Sequence, residues 1–132
     1  MKKLFLIFAF SVLVFSYDIK EFITCKDVEN LTPINPTKIF DVAKDKKAFA
    51  FAYFINIKEK KLIDFVWEKE VGGKWKLYAD IKLPIFPGIR WRTYSNITIR
   101  EFFDGNWRVS IVDGNKTIQT INFKIIDSNL SK

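Results

Sequence analysis

Arg90-Trp91-Arg92-Thr93-Tyr94-Ser95 is the stretch from which the fold can be read. Trp91, Thr93 and Ser95 fall on one side of a two-residue repeat, and Arg90, Arg92 and Tyr94 on the other. Aromatic and β-branched residues in strict alternation are the signature of a half-buried strand. The strand continues to Ile99. It is preceded by the corner Pro84-Ile85-Phe86-Pro87-Gly88 and followed by an Asp104-Gly105 turn. A second Trp-Arg segment then runs from Asn106 to Val112 with Trp107, Val109 and Ile111 inward. All four arginines of the chain, Arg90, Arg92, Arg100 and Arg108, lie in this region. Asp113-Gly114-Asn115 reads as a hairpin turn into a last strand, Thr117 to Ile126. Its apolar set is Ile121, Phe123 and Ile125; Ile118 has the wrong parity, which predicts a bulge near Gln119-Thr120.

Upstream the same grammar repeats. Glu21 to Glu29 alternates as a first strand. Leu31 to Lys38, with Pro33 and Pro36, reads as a loop, and Ile39 to Ala43 as either a short edge strand or a helical turn. Ala48 to Ile57 is apolar on both faces, the mark of a central strand or one covered on both sides. Leu62 to Glu70 and Lys74 to Leu83 form a hairpin around Gly72-Gly73. Parity favours a three-residue loop, Val71-Gly72-Gly73. That loop sets Trp67 against Leu77, Phe65 against Ala79, Glu68 against Lys76 and Glu70 against Lys74, since directly opposed residues share a face. About seven short strands with regular turn signals and no helical repeat predict an all-β fold, an immunoglobulin-like antiparallel β-sandwich.

The first 16 residues read differently. Lys2 and Lys3 precede an apolar run from Leu4 to Phe15, broken only by Ser11. The run is short for a bilayer span of about 20 residues, and Val14-Phe15-Ser16 resembles a cleavage site. Residues 1–16 are therefore expected to be a signal peptide and residues 17–132 the mature β-sandwich domain, periplasmic or secreted. Without the leader the chain keeps 20 Lys+Arg against 15 Asp+Glu. That balance favours anionic surfaces such as phospholipid headgroups, lipopolysaccharide or acidic glycans, and serves solubility equally well. The single cysteine, Cys25, excludes an internal disulfide and reads as a buried strand residue. The absence of histidine removes His-based catalytic triads and nearly every zinc site.

From Trp67 onward the chain resembles the domain-of-unknown-function family numbered 2914. The resemblance rests on Trp67, on Arg90-Trp91-Arg92-Thr93-Tyr94-Ser95, on Gly105-Asn106-Trp107-Arg108-Val109, and on Val112-Asp113 and Phe123. It implies a β-rich domain of bacterial envelope or membrane-linked proteins, and brings no activity, cofactor or catalytic residue. Members of the family often carry a histidine two residues before the first tryptophan; this chain has Phe65 there.

The candidate site is the outward row Arg90, Arg92 and Tyr94. Two guanidinium forks on one face suit a carboxylate or phosphate ligand; the competing reading is a solvated face with local ion pairs. Trp67, Trp75, Trp91 and Trp107 are each better explained as core than as a sugar-stacking platform, because each falls on the apolar side of its strand. Asp64, Glu68 and Glu70 share a strand face, but lysines opposite the two glutamates argue against a catalytic carboxylate pair. Asp104 and Asp113 head turns without the dense loop that calcium requires. The expectation is a non-catalytic binding or interaction module with no cofactor and no metal. Its partner is a protein or an anionic envelope polymer, not nucleic acid, and membrane contact is confined to the leader if that is retained. A carbohydrate-binding accessory module and a structural assembly subunit are the alternatives.

Overall fold

The computed structural model describes residues 16–130. The expected leader therefore lies outside the described residues, except for Ser16. Nine strands follow: β1 (Asp18–Glu29), β2 (Thr32–Pro36), β3 (Ile39–Asp41), β4 (Lys47–Ile57), β5 (Lys61–Val71), β6 (Lys74–Ile85), β7 (Gly88–Thr98), β8 (Gly105–Asp113) and β9 (Lys116–Ile126). They form two sheets, ordered β2-β1-β4-β7 and β3-β9-β8-β5-β6. The fold is a two-layer β-sandwich with the strand order of an immunoglobulin-like domain. It has nine strands where about seven were expected. The two additions are the segment read as a loop, which is β2, and the ambiguous Ile39–Asp41 segment, which is β3. β3 departs from the antiparallel rule by pairing parallel with β9.

The core sits between the sheets. Ala48, Ala50, Ala52 and Phe54 of β4 face Ile63, Phe65 and Trp67 of β5 and Trp107, Val109 and Ile111 of β8, all buried. Three alanines on the inner row of β4 leave room for the two indoles opposite, which is how interiors alternate small and large residues to reach close packing. Phe65, at the family's histidine position, packs edge-on against Phe22 at 6.1 Å. The Trp67 indole N–H donates to the Ser95 hydroxyl at 2.9 Å, a buried hydrogen bond between β5 of one sheet and β7 of the other. The inward half of the Arg90–Ser95 hexamer thus fastens the two layers. Tyr17 is buried too, and its hydroxyl donates to Asp113 at 2.8 Å. Cys25 is buried and unpaired by any disulfide; burial pushes its thiol up from the ordinary 9.0.

The hairpin register corrects the sequence reading. Gly72 and Gly73 both have positive φ, 61° and 79°, and form a two-residue turn. Glu70 stands opposite Trp75 and Lys69 opposite Lys76. Side-chain parity does not run unbroken through β6. A bulge lies between Trp67/Glu68 and their partners Ala79 and Leu77, so that Tyr78 has no opposite number. The extra residue reverses parity, as a bulge must. Ala79, Ile81 and Leu83 face the core as expected, while Trp75 and Leu77 are turned to the outside. Two glycines in left-handed conformations match strand twist better than a longer loop. Tyr78 fills the space gained, packing edge-on against Phe103 at 5.2 Å and Trp107 at 5.4 Å. In β9 the expected irregularity occurs at Ile118, one residue before Gln119: Ile111 pairs with Gln119 but Val112 with Thr117. The segment after β9 is tied down at Ser128, whose N–H donates to Asp41 at 3.1 Å.

Candidate functional site

The β4–β7 register builds the candidate face. Phe51 lies opposite Tyr94, Tyr53 opposite Arg92 and Ile55 opposite Arg90. On the far side of β4, Glu21 stands beside Tyr53 and Ile23 beside Phe51. The outward surface of this sheet is therefore an aromatic stripe along β4 with arginines on the edge strand. The Arg92 guanidinium lies over the Tyr53 ring, 4.4 Å from its centroid, and the Lys20 ammonium approaches the same ring at 5.6 Å. Such cation–π contacts orient a guanidinium without neutralising it. Arg92 foremost, with Arg90 beside it, holds the Tyr53 phenol below its ordinary 10.0.

The face is not open along its whole length. Phe51 is only 1% exposed although its row points outward. The β1–β2 hairpin reaches this face. Pairing of β1 with β4 ends at Cys25 opposite Phe49, and the chain runs on to a tip at Asn30-Leu31. That tip lines the same cleft as Arg90, Trp91 and Arg92, a cleft of about 530 Å³. To reach that row of the sheet, the hairpin must fold back across its outer face. Asn30 and Leu31 have φ of 51° and 54°. This is the tightest hairpin turn, and it holds a leucine in a conformation that L-residues with a β-carbon avoid.

The structure brings Arg90 and Arg92 together in the cleft. It places Tyr94 one step along the same face and outside the cleft lining, tilted against Phe49 at 5.8 Å. Sequence reasoning missed Asn30, Leu31, Lys20 and Tyr53. Tyr53 was visible in the apolar run, and its register opposite Arg92 was not. Among the described residues no carboxylate lies within salt-bridge distance of Arg90 or Arg92. The ion pairs present are Lys26–Asp45, Lys61–Asp113, Lys82–Asp64 and Arg108–Glu68.

The other candidates resolve differently. Trp67 and Trp107 are core residues and Trp91 packs at the core margin. Trp75 is on the outer face of the second sheet, contrary to expectation, with the Arg108 guanidinium stacked on its ring at 4.3 Å. Asp64, Glu68 and Glu70 are all engaged: by Lys82 at 2.6 Å, Arg108 at 2.7 Å and Asn106 at 3.0 Å. The lysines expected opposite the two glutamates are not their partners, because the bulge moved them. Asp80 shares the neighbourhood of Asp64, whose carboxylate pushes the Asp80 carboxyl up from the ordinary 3.8. A larger cleft, about 620 Å³, lies between Phe22-Ile23-Thr24 of β1 and Gln119–Asn122 of β9. Lys38 is the one charged group in its lining. No group of three or more Cys, Asp or Glu that could hold a metal ion occurs among the described residues.

Comparison with known proteins adds the following. The family model described as "Protein of unknown function (DUF2914)" matches residues 60–125. The curated proteins hold no match to the chain. Among solved structures, the chain is similar to a beta-D-glucoside glucohydrolase from Trichoderma reesei, with a TM-score of 0.46 and 11% identity. That alignment covers 83% of this chain and 18% of that one. It is also similar to a beta-glucosidase from Kluyveromyces marxianus in complex with glucose, with a TM-score of 0.47 and 13% identity, over 90% of this chain and 14% of that one. The chain thus spans less than a fifth of either protein.

Proposed function

From the premise that this chain belongs to the DUF2914 family, whose model matches half its length, we propose that it is an exported, non-catalytic binding module. Its site is the Arg90–Arg92 cleft, which grips an anionic group on an envelope polymer or protein. One observation carries this reading: two arginines two residues apart on the same face of β7 share a cleft with no carboxylate partner among the described residues. An unpaired guanidinium presents five donors and suits a planar or tetrahedral oxyanion. Arg92 is in addition oriented by the Tyr53 ring, so less side-chain entropy is lost when a ligand arrives. The apolar leader and the basic balance of the remaining chain support an envelope setting. Trp67 and Trp107 are buried and Trp75 is covered by Arg108, so these rings offer no stacking platform for a sugar.

The test is binding of soluble polyphosphate and of polygalacturonate, followed by calorimetry at low and high salt. The expected result is micromolar or weaker binding that falls with salt and drops at least tenfold in Arg90→Ala/Arg92→Ala. Undiminished binding by the double variant would remove the site from these residues.

A further inference from the structure

The Arg90–Arg92 cleft lies at one end of the sandwich, and the surroundings of that end name a class of ligand. The β4–β5 loop, Lys58-Glu59-Lys60, is held there. The Lys58 N–H donates to the Ser16 carbonyl at 2.8 Å, and the Lys60 ammonium lies over the Phe86 ring at 5.2 Å. Phe86 in turn packs against Trp91 at 4.9 Å. Ile57 pairs with Gly88, the residue before Ile89. A continuous run of contacts therefore links the point where the chain enters the fold, the two lysines, the Pro84–Gly88 corner and the two arginines. Ile89, the second residue of β7, is 78% exposed between Gly88 and Arg90. Phe86 and Leu31 are exposed beside it. Against the cations stand Glu59, Asp18 and Asp113; the Asn56 amide engages Asp18 at 3.2 Å, and Lys61 pairs with Asp113 at 3.4 Å.

Exposed apolar side chains ringed by Lys and Arg are what an interfacial membrane site requires: the apolar groups enter the headgroup boundary and the cations meet lipid phosphates. A second observation points the same way. The apolar stretch Leu4–Phe15 joins the fold at Ser16, on this same end, so anything that holds that stretch in lipid presents this end to the surface.

We infer that this end of the sandwich docks on an anionic phospholipid surface, with Arg90, Arg92, Lys58 and Lys60 meeting headgroup phosphates and Ile89 and Phe86 entering the interface. The inference rests on the anion-gripping reading of the Arg90–Arg92 cleft, and puts the phosphodiester of a lipid headgroup in place of the polymer or protein of that reading. Each Lys or Arg held near an anionic leaflet changes the partition coefficient by about fivefold. The burial of one exposed isoleucine contributes roughly tenfold or more.

The experiment is co-sedimentation of residues 16–132, which contain all nine strands, with vesicles of pure phosphatidylcholine and of phosphatidylcholine with one-third phosphatidylglycerol. Soluble polyphosphate is titrated in parallel. The expected result is binding to the anionic vesicles alone. It should fall about 25-fold in Arg90→Ala/Arg92→Ala and about tenfold in Ile89→Asp, and be unchanged in Phe102→Asp. Phe102 is an equally exposed apolar residue in the β7–β8 connection at the opposite end. Thermal melts of each variant confirm folding. Polyphosphate binding that needs the arginines, without vesicle binding, would overturn the lipid inference and leave the anion cleft standing. Loss of both would remove the cleft as well. Vesicle binding equally sensitive to Phe102→Asp and Ile89→Asp would overturn the docking end.

Discussion

Replacing Ser95 with alanine should destabilise the fold without touching the cleft, although Ser95 belongs to the same hexamer as Arg90 and Arg92. The Ser95 hydroxyl accepts the Trp67 indole N–H at 2.9 Å. Both residues are buried, Trp67 at 0% and Ser95 at 4% exposure. In Ser95→Ala the indole N–H loses its hydrogen-bond acceptor inside the buried layer. Leaving a buried donor unsatisfied costs about 1–3 kcal/mol. With a urea slope of roughly 2 kcal/mol/M for a domain of this size, the midpoint should fall by roughly 0.5–1.5 M and the slope should stay constant.

The decisive measurement is a double-mutant cycle with Trp67→Phe. Phenylalanine has no N–H, so Ser95→Ala in that background should cost a few tenths of a kcal/mol at most. The coupling between the two positions should then equal most of the single-variant loss. Ser95→Ala costing the same in both backgrounds would refute the inter-sheet hydrogen bond as the reason for a serine here. A drop in anion binding alongside a small stability loss would refute the division of the hexamer into a fastening row and a binding row.

Three further outcomes follow from individual contacts. Leu31→Gly relieves a left-handed leucine, an effect worth about 1–2 kcal/mol before the entropy cost of glycine is subtracted; urea melts should show stability unchanged or up by as much as about 1 kcal/mol, while loss of the side chain that lines the cleft weakens polyphosphate binding. Asp41 accepts from the N–H groups of Ser128 at 3.1 Å and Ala43 at 2.9 Å, which hold its carboxyl below the ordinary 3.8. Its stabilising contribution is therefore present above pH 4 and lost as the pH falls through the lowered folded-state value; Asp41→Asn should flatten the acid limb of a stability–pH curve. Tyr17 is shifted the other way, since burial foremost and then the Asp113 carboxylate push its phenol well above the ordinary 10.0. The unfolded chain loses that proton first, so stability should decline as the pH rises past 10, and Tyr17→Phe should remove that part of the decline in alkaline urea melts.

The inner layer was legible in the sequence because alternation is a local property. Trp91, Thr93 and Ser95 inward, and Arg90, Arg92 and Tyr94 outward, needed only the two-residue period of a strand. Trp107, Val109 and Ile111 were equally plain. The same logic failed at Trp75, because one unpaired residue at Tyr78 reverses parity for everything beyond it, and a bulge is a bargain between two strands that neither shows alone. Tyr78 was paid for by Phe103 and Trp107, which lie some 25 or more residues further along the chain. The β2 segment read as a loop because Pro33 and Pro36 argue against a central strand. They are compatible with the edge that β2 occupies, beyond β1.

The cleft was half legible for a related reason. Its floor, Arg90 and Arg92, is one strand's outward row. Its wall, Asn30 and Leu31, arrives from 60 residues away by the folding back of a hairpin, and nothing in Asn30-Leu31 declares a left-handed turn as Asn-Gly would. That choice bears on function. A glycine at position 31 would adopt this turn with less strain than the leucine does. Leu31 lines the cleft with Arg90 and Arg92, and under the proposed function the strained tip serves to wall that cleft. Under the proposed function, the outward arginine row of the hexamer binds, the strained Asn30-Leu31 tip walls the cleft, and the inward row, fastened by the Trp67–Ser95 bond, keeps the strand rigid so that the guanidiniums outside keep their aim.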